Sequence, residues 1–257
     1  MTMTVVLLHP VALDVDCWNL SGLEGERFEY PGNGNRPLPP SGTYTLEELA
    51  DEIAASYPGK LDLVGVSMGC TVAEYTALRH PERVRSLFLA DGGNSPRTTQ
   101  QERERLASGE DLPNERADTQ AKSTMAETLD WVLPRWFTPA ALAADLPGVQ
   151  YTRARWLADD PLGVAANWRT LGRSAIKDLL PTISIPVTVA VGRSDFSGGP
   201  NATPVESAEA LSKLFPNGRF EAIDGPHLVH LENPEGFATA VRAHLAWAAS
   251  RDTVAAR

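Results

Sequence analysis

A serine between two glycines, at the junction of an apolar run and a helical pattern, most constrains how this chain can fold. Residues 61–66 read LDLVGV, which is typical of a strand buried on both faces. The residues from Met68 to His80 have helical spacing, and Pro81 ends that pattern. If the strand passes directly into the helix, the backbone just before Ser67 and the backbone just after it lie close together. Little room is then left for side chains at positions 65 and 69. The glycines flanking Ser67 therefore predict a tight turn from strand into helix.

Strand patterns alternate with helical ones along most of the chain. Short apolar runs bounded by turn residues predict strands, and Thr45-Leu-Glu-Glu48 is a capping box that opens a helix. This alternation predicts right-handed β-α-β units and hence a mostly parallel, doubly wound α/β sheet with helices on both faces. The predicted strands are 4–10, 27–30, 61–66, 84–91, 185–192 and 218–225, and the predicted helices are 45–56, 68–80, 205–214 and 234–249.

One long stretch interrupts the alternation. Between 94 and 180 the strand runs vanish, the pattern is helical and amphipathic, and four of the chain's six tryptophans occur. We therefore expect 94–180 to be an all-helical cap inserted after the fourth strand. Residues 1–93 and 181–257 are then predicted to form one discontinuous α/β core domain.

The composition narrows the possible partners and location. The chain has 257 residues, 42% of them hydrophobic, which suffices for one large core. A formal net charge of −10 repels phosphate backbones, so we expect no nucleic-acid partner. No stretch approaches the roughly 18 uncharged apolar residues of a membrane span. Only two cysteines occur and the start lacks the basic region of a signal peptide, so we expect a cytoplasmic protein without a disulfide framework.

The turn at Ser67 also has chemical consequences. A corner residue in such a turn takes a strained backbone conformation, and its side chain projects above the carboxyl edge of the sheet. The Met68 amide begins a helix, so it is an unpaired donor at the positive end of the helix dipole. A hydroxyl beside a free amide predicts a nucleophile elbow, with Met68 as one oxyanion donor.

A nucleophilic serine needs a base and an acid that orients the base. Of the five histidines, His227 lies in a Gly-Pro loop after a predicted strand and is the favoured base. Asp195, in the loop after another strand, is the favoured acid, and Asp91 at the end of the fourth strand is the alternative. The second oxyanion donor should follow the first strand; Pro10 has no N–H, so Val11 is the candidate.

Three motifs in order, GVSMGC, GRSDFSGGP and GPHLVHLENPEGF, resemble those of the α/β-hydrolase superfamily, and the likeness extends over nearly the whole chain. The resemblance implies Ser67 as nucleophile, Asp195 as acid and His227 as base, with the amides of Val11 and Met68 as oxyanion hole. Compared with that superfamily, we expect a shortened N-terminus without the hairpin that usually precedes the first parallel strand.

A narrower resemblance links the chain to 3-oxoadipate enol-lactonases. PRWFTPAAL (134–142) and DDPLGVAANWRTL (159–171) are similar to the cap of those enzymes. The loop HPVALDVDCW is similar in spacing to their N-S-L-G-T-D-x-x-x-W, with Asp14 and Trp18 matching. Residues 9–13 are more apolar than the small polar run of that family.

Further side chains are predicted to border the site. Trp136 in the helical stretch is expected over the pocket, with His9 and His230 also contacting substrate. His227-x-x-His230 lacks a histidine or cysteine partner at ligand spacing, so we expect no metal. The loop PGNGNRP lacks the lysine–serine pair of a phosphate cradle, and we expect no cofactor.

The sequence thus predicts a serine hydrolase that cleaves a carboxylic ester or lactone of a small molecule through an acyl-enzyme on Ser67. Two alternatives remain open. One is a lyase or C–C bond hydrolase with the same triad, although hydroxynitrile lyases of the superfamily use a lysine near the acid and base, and only Lys213 lies between Asp195 and His227. The other is a non-catalytic ligand-binding member of the fold.

Overall fold

A single six-stranded sheet organises the molecule. The computed structural model describes residues 3–92, 100–108, 110, 114–195, 197–198 and 204–255. Within them the strand order is β2-β1-β3-β4-β5-β6, and each neighbouring pair is parallel. The strands are β1 (Met3–Leu8), β2 (Glu26–Phe28), β3 (Lys60–Val66), β4 (Val84–Ala90), β5 (Val187–Gly192) and β6 (Gly218–Ile223).

The strand order reverses at β1, which pairs with β2 on one side and β3 on the other. In open parallel sheets the crevice outside the carboxyl ends of the strands, at such a switch point, is where ligands bind. The loop after β1 and the turn after β3 both start at this crevice. The strand order therefore places Val11 and Ser67 beside each other at the carboxyl edge.

Helices cover the sheet much as the alternating pattern predicts. The capping box is present, because Thr45 Oγ1 accepts from the Glu48 amide while the Glu48 carboxylate accepts from the Thr45 amide. The first strand ends at Leu8 rather than Pro10, and the last helix extends to Ala255, further than predicted. The helices of this part are α1 (Leu46–Ser56), α2 (Met68–Arg79), α9 (Pro204–Ser212), α10 (Val229–Glu232) and α11 (Pro234–Ala255).

The stretch between β4 and β5 is helical in its described residues. Apart from the 3₁₀ turn at Lys177–Thr182, its regular elements there are six α-helices, which confirms a helical region inserted after the fourth strand. The division into a cap at 94–180 and a core of 1–93 and 181–257 stays a prediction, and its first boundary lies outside the described residues. The helices are α3 (Gln100–Ala107), α4 (Glu115–Lys122), α5 (Met125–Trp136), α6 (Pro139–Ala144), α7 (Pro147–Ala158) and α8 (Pro161–Gly172).

Burial follows the layers. The strands β3, β4 and β5 are almost wholly buried, and β1 is buried over its second half, as expected of a parallel sheet with two covered faces. Phe88 of β4 meets Phe237 of α11 edge to face, with 5.6 Å between ring centroids. Among the described residues, no helix is both long enough and apolar enough to cross a membrane.

Candidate active site

The turn at Ser67 has the strained geometry that the glycines predict. Ser67 has φ 55° and ψ −114°, a region that non-glycine residues rarely adopt. A Cβ on Gly65 would lie 2.4 Å from the carbonyl carbon of Gly69, so no side chain fits between them. A Cβ on Gly69 would lie 2.1 Å from the carbonyl oxygen of Leu8. The close packing of β1 against the turn therefore also excludes a side chain at this position. The turn holds the partly exposed Ser67 side chain at the carboxyl edge.

A third glycine supports the turn from the neighbouring strand, and the sequence analysis missed it. A Cβ on Gly92, just after β4, would lie 2.4 Å from the Ser67 carbonyl oxygen. The Ser67 amide in turn donates to the Ala90 carbonyl at 2.9 Å. The pair Gly92-Gly93 in FLADGG was the available signal, since a glycine at a strand end often marks close backbone approach.

Ser67, His227 and Asp195 come together from three different loops at this edge. Ser67 follows β3, Asp195 follows β5 and His227 follows β6. Nδ1 of His227 lies 3.1 Å from Oδ2 of Asp195, and Nε2 lies 3.1 Å from Oγ of Ser67. Because a carboxylate only accepts, Nδ1 carries the hydrogen and Nε2 is left to accept from the Ser67 hydroxyl.

Backbone contact fixes the acid and base loops against each other. A Cβ on Gly192, the last residue of β5, would lie 2.2 Å from the Pro226 carbonyl oxygen and 2.5 Å from that of Gly225. The absence of a side chain there lets the two loops pack backbone to backbone. Oδ1 of Asp195 accepts from the Ser197 amide at 2.8 Å, so the carboxylate is held on both oxygens.

The surroundings of the pair favour its ionised form. Burial works against the charge of Asp195, but the His227 ring and the Ser197 amide outweigh it and hold the pKa of Asp195 below its ordinary value. Burial also opposes charging of His227, yet the charge of Asp195 and its hydrogen bond raise the pKa of the ring. The pair thus stabilises the protonated imidazole that would form if Ser67 lost its proton.

Asp91 lies beside the pair but is bonded elsewhere. Its Oδ1 accepts from the Gly192 amide at 2.6 Å, and its Oδ2 has no hydrogen-bond partner among the described residues. Burial is the main cause that raises the pKa of Asp91 well above its ordinary value. The positive ring of His227 lowers this pKa by less than burial raises it, and the charge of Asp195 raises it further. The geometry therefore puts Asp195, not Asp91, in contact with the His227 ring.

Comparisons with known proteins give the family of this chain. Residues 5–240 match the model of the Alpha/beta hydrolase family. The chain belongs to this family. It is 26% identical over 247 residues, 91% of each chain, to the pimeloyl-(acyl-carrier protein) methyl ester esterase of Aeromonas hydrophila. It is 27% identical over 192 residues to 3-oxoadipate enol-lactonase 1 of Acinetobacter baylyi, 74% of this chain and 66% of that one.

A solved structure with the same fold is a thermophilic esterase from Thermogutta terrifontis with malate bound. It has a TM-score of 0.80 and 26% identity, covering 96% of this chain and 91% of the other. The predicted fold class, the resemblance to enol-lactonases and the prediction of an α/β hydrolase acting on ester bonds are confirmed.

In this α/β hydrolase the two candidate oxyanion amides flank Ser67 from different elements. Met68 is the first residue of α2, so its N–H has no partner within the helix. Val11 lies in the loop after β1, next to Ala12, whose φ of 57° is unusual for alanine. The Ala12 amide donates to Oδ1 of Asn167 on α8 at 3.3 Å, so the helical region holds this loop.

His9 is the first residue of the same loop and is fully buried. Its Nδ1 donates to the Pro10 carbonyl at 2.7 Å, and its Nε2 lies 3.3 Å from the Tyr30 amide and 2.9 Å from a Glu29 carboxylate oxygen. The oxygen and hydrogen of a trans peptide point in opposite directions, so a held Pro10 carbonyl fixes the direction of the Val11 N–H. Direct contact of His9 with substrate stays a prediction.

His230 lies on α10, one turn beyond the base, as the spacing predicts. It is fully buried, with its ring centroid 5.1 Å from that of Trp18 and 5.8 Å from that of Phe237. Neither ring nitrogen has a partner among the described residues. Burial, with the charges of His227 and His9, lowers the pKa of His230 to about 3, so the ring is neutral. Its role in binding substrate also stays a prediction.

Trp136 lies beside the base, and its predicted place over the substrate pocket stays a prediction. Its ring is stacked on His227 with 6.4 Å between centroids, and its carbonyl accepts from the Leu228 amide at 3.2 Å. Nearby, the Thr138 hydroxyl donates to the Glu232 carboxylate at 2.6 Å. These contacts tie the helical region to the loop that carries His227.

A group of three residues offers possible metal ligands. Asp91, Asp195 and His227 each present a ligand atom, all within 4.8 Å of one another. His227 Nδ1 is already bonded to Asp195, and Asp91 Oδ1 to the Gly192 amide, so a cation would have to displace these hydrogen bonds. The expectation of a site without a metal stays a prediction.

Proposed function

We propose that this hydrolase cleaves a carboxylic ester or lactone of a small molecule through an acyl-enzyme on Ser67. The observation that carries the proposal is the unbroken contact from Ser67 Oγ through His227 to Asp195, with both distances 3.1 Å. Nucleophile, base and orienting acid within hydrogen-bond reach are the arrangement that acyl transfer requires.

The first half of the reaction follows from the tautomer. Nε2 of His227 takes the Ser67 proton as Oγ attacks the substrate carbonyl, and Asp195 stabilises the imidazolium. The negative charge that develops on the carbonyl oxygen is met by the amides of Met68 and Val11. A single donor of this kind typically contributes on the order of 10²–10³ in rate. His227 then protonates the leaving alcohol, and the acyl group stays on Ser67.

The second half repeats these roles with water. His227 removes a proton from a water molecule, which attacks the acyl carbonyl, and Ser67 leaves with the proton returned by His227. A lactone follows the same steps, with the alcohol remaining on the acyl chain. A lyase that relied on a lysine beside the acid and base is disfavoured, because Lys213 is exposed and paired with Glu209 at 2.7 Å.

Labelling by an activated fluorophosphonate tests the nucleophile. We expect one adduct by mass spectrometry, located on Ser67, and none in Ser67→Ala. The matched control is Ser194→Ala, which removes a serine hydroxyl from the Asp195 loop and should leave labelling intact. Labelling of folded Ser67→Ala at the wild-type rate would refute the assignment.

A panel of p-nitrophenyl esters and lactones tests the reaction class. We expect turnover of at least one neutral ester or lactone, with Ser67→Ala reduced to the background rate. Rapid labelling without hydrolysis of any ester or lactone would instead support a lyase or C–C bond hydrolase on the same scaffold, and absence of labelling would support a binding protein.

A further inference from the structure

A cavity lies in the helical region, and Ser67 is not among its lining residues. It has a volume of about 410 Å³, within the usual range of small-molecule pockets. Its walls include the indole rings of Trp131, Trp156 and Trp168 together with Arg116, and we call it the indole cavity. None of its described lining residues belongs to the Ser67–His227–Asp195 group.

Two tryptophans stand between the indole cavity and the triad. Trp156 lines the cavity and meets Trp136 edge to face, with 5.5 Å between centroids. Trp136 in turn stacks on His227. A ligand in the cavity therefore contacts the outer side of this pair of rings and does not touch Ser67.

The guanidinium of Arg116 lies against two indole rings of the cavity. The guanidinium carbon of Arg116 lies 5.1 Å from the Trp168 ring centroid and 5.9 Å from that of Trp131. Arg135 lies 4.1 Å from the Trp131 centroid. No carboxylate among the described residues forms an ion pair with either arginine. By contrast Arg169 of the same region pairs with Asp118 at 3.2 Å.

Two features show that the described residues supply these charges with no counter-ion. Partial desolvation and the nearby charge of Arg135 lower the pKa of Arg116, so the two cations lie close enough to repel each other. The carboxylate of Glu127, which lines the cavity, accepts instead from the Thr124 amide and hydroxyl, and exposed Glu115 forms no ion pair with Arg116. The Arg116 side chain stays accessible to solvent, as a binding group must be.

We propose that the indole cavity binds a small aromatic carboxylate, with its ring among the three indoles and its carboxylate on Arg116. A planar guanidinium matches a carboxylate with two parallel hydrogen bonds. Indole walls favour stacked or edge-to-face contact with an aryl ring. The anion also neutralises the repulsion between Arg116 and Arg135. A cationic ligand would add a third positive charge, and a purely apolar one would leave the guanidiniums uncompensated.

Calorimetric titration with phenylacetate and its neutral analogue phenylacetamide tests the proposal. We expect phenylacetate to bind the wild-type protein about tenfold or more tightly than phenylacetamide, since a hydrogen-bonded charge is lost with the amide. Arg116→Gln should weaken phenylacetate to the level of phenylacetamide, and Arg116→Lys should lie between, because it keeps the charge but loses the fork. Arg169→Gln is the matched control and should bind like wild type.

Two results would overturn the site. One is equal affinity for both probes; the other is unchanged phenylacetate binding in folded Arg116→Gln, which would place the ligand elsewhere, as at Ser67. If Arg116→Gln does not fold, Trp168→Leu is the alternative test. Loss of this indole wall should weaken the binding of both probes, and unchanged affinity would refute the cavity as the binding site. No ester is turned over in these titrations, so this proposal and the proposed function fail independently.

Discussion

The two sides of the candidate active site are built in different ways. On the sheet side, Ser67 is held by glycines within two residues of it and by the ends of adjacent strands. On the helical side, the contacts join residues far apart in sequence: Ala12 with Asn167 are 155 positions apart, and Thr138 with Glu232 are 94 apart. The sheet side thus places Ser67 through backbone contacts at a turn and at strand ends, whereas the helical side supports the site through side-chain contacts.

This contrast predicts which substitutions should have large effects on turnover and folding and which should have small ones. Changes on the sheet side should abolish turnover or folding, because a strained turn and a hydrogen-bond relay tolerate little displacement. Substitutions on the helical side should alter rate or selectivity by smaller factors, because helical residues affect the reaction only through the loops that they support.

The largest effect should come from Asp195→Asn. An asparagine presents an amide that no longer requires the hydrogen on Nδ1, so Nε2 ceases to be the acceptor that Ser67 needs. We expect kcat to fall by about 10³–10⁴ with KM little changed. Steady-state hydrolysis of a neutral p-nitrophenyl ester measures this.

Asp91→Asn is its matched control. The asparagine Oδ1 can still accept from the Gly192 amide, so we expect a loss of less than about tenfold. If the Asp91 variant loses more activity than the Asp195 variant, the acid has been assigned to the wrong carboxylate.

Gly69→Ala should destabilise the fold itself. A methyl group there lies 2.1 Å from the Leu8 carbonyl oxygen, so β1 or α2 must shift. We expect a loss of at least about 2 kcal/mol in the free energy of unfolding, measured in urea. Gly22→Ala serves for comparison: its φ of +58° costs about 1 kcal/mol but nothing lies within 4 Å. Equal losses in both would mean that the close approach of Gly69 is unimportant.

The same contrast explains what the sequence could predict. Ser67, Asp195 and His227 were found because each follows a strand, and parallel strands place their carboxyl ends at one edge. The first strand was predicted to reach Pro10, but it ends at Leu8 because the buried His9 ring binds the Pro10 carbonyl and the chain turns there. The close approach of Gly69 to Leu8 was not predicted, because the position of β1 cannot be read from a local pattern.

The helical side shows the limit of such prediction. Trp136 was predicted over the pocket from its neighbours in sequence; its contact with the His227 ring is observed, and its contact with substrate stays a prediction. Asn167 and Arg116 were not identified, since their contacts depend on which helix packs beside which loop. In sequence, each is one polar residue among many in an amphipathic stretch.

Asn167→Ala tests whether the helical side supports the oxyanion loop. The change removes the acceptor of the Ala12 amide and the donor to the Tyr44 hydroxyl, at 3.3 and 2.8 Å. We expect kcat to fall by up to about tenfold and the free energy of unfolding by about 2 kcal/mol. Thr170→Val, on the same helix, removes a buried bond to the Tyr44 carbonyl at 2.8 Å. It should reduce stability while leaving kcat unchanged; an equal fall in kcat would mean that both changes merely loosen α8.

The smallest effects should be opposite shifts of the pH profile from the two sides. His227 acts as a base only when neutral, and its pKa is raised, so kcat/KM should fall with decreasing pH starting above the ordinary histidine value of about 6.5.

The negative charge of Asp91 raises the pKa of His227 and the positive charge of Arg116 lowers it. Asp91→Asn should therefore move the acid limb to lower pH, and Arg116→Gln should move it to higher pH. Arg169→Gln, whose charge is paired with Asp118, should leave the limb in place. Shifts of the same sign in the first two variants would mean that structural rearrangement, not charge, sets the profile.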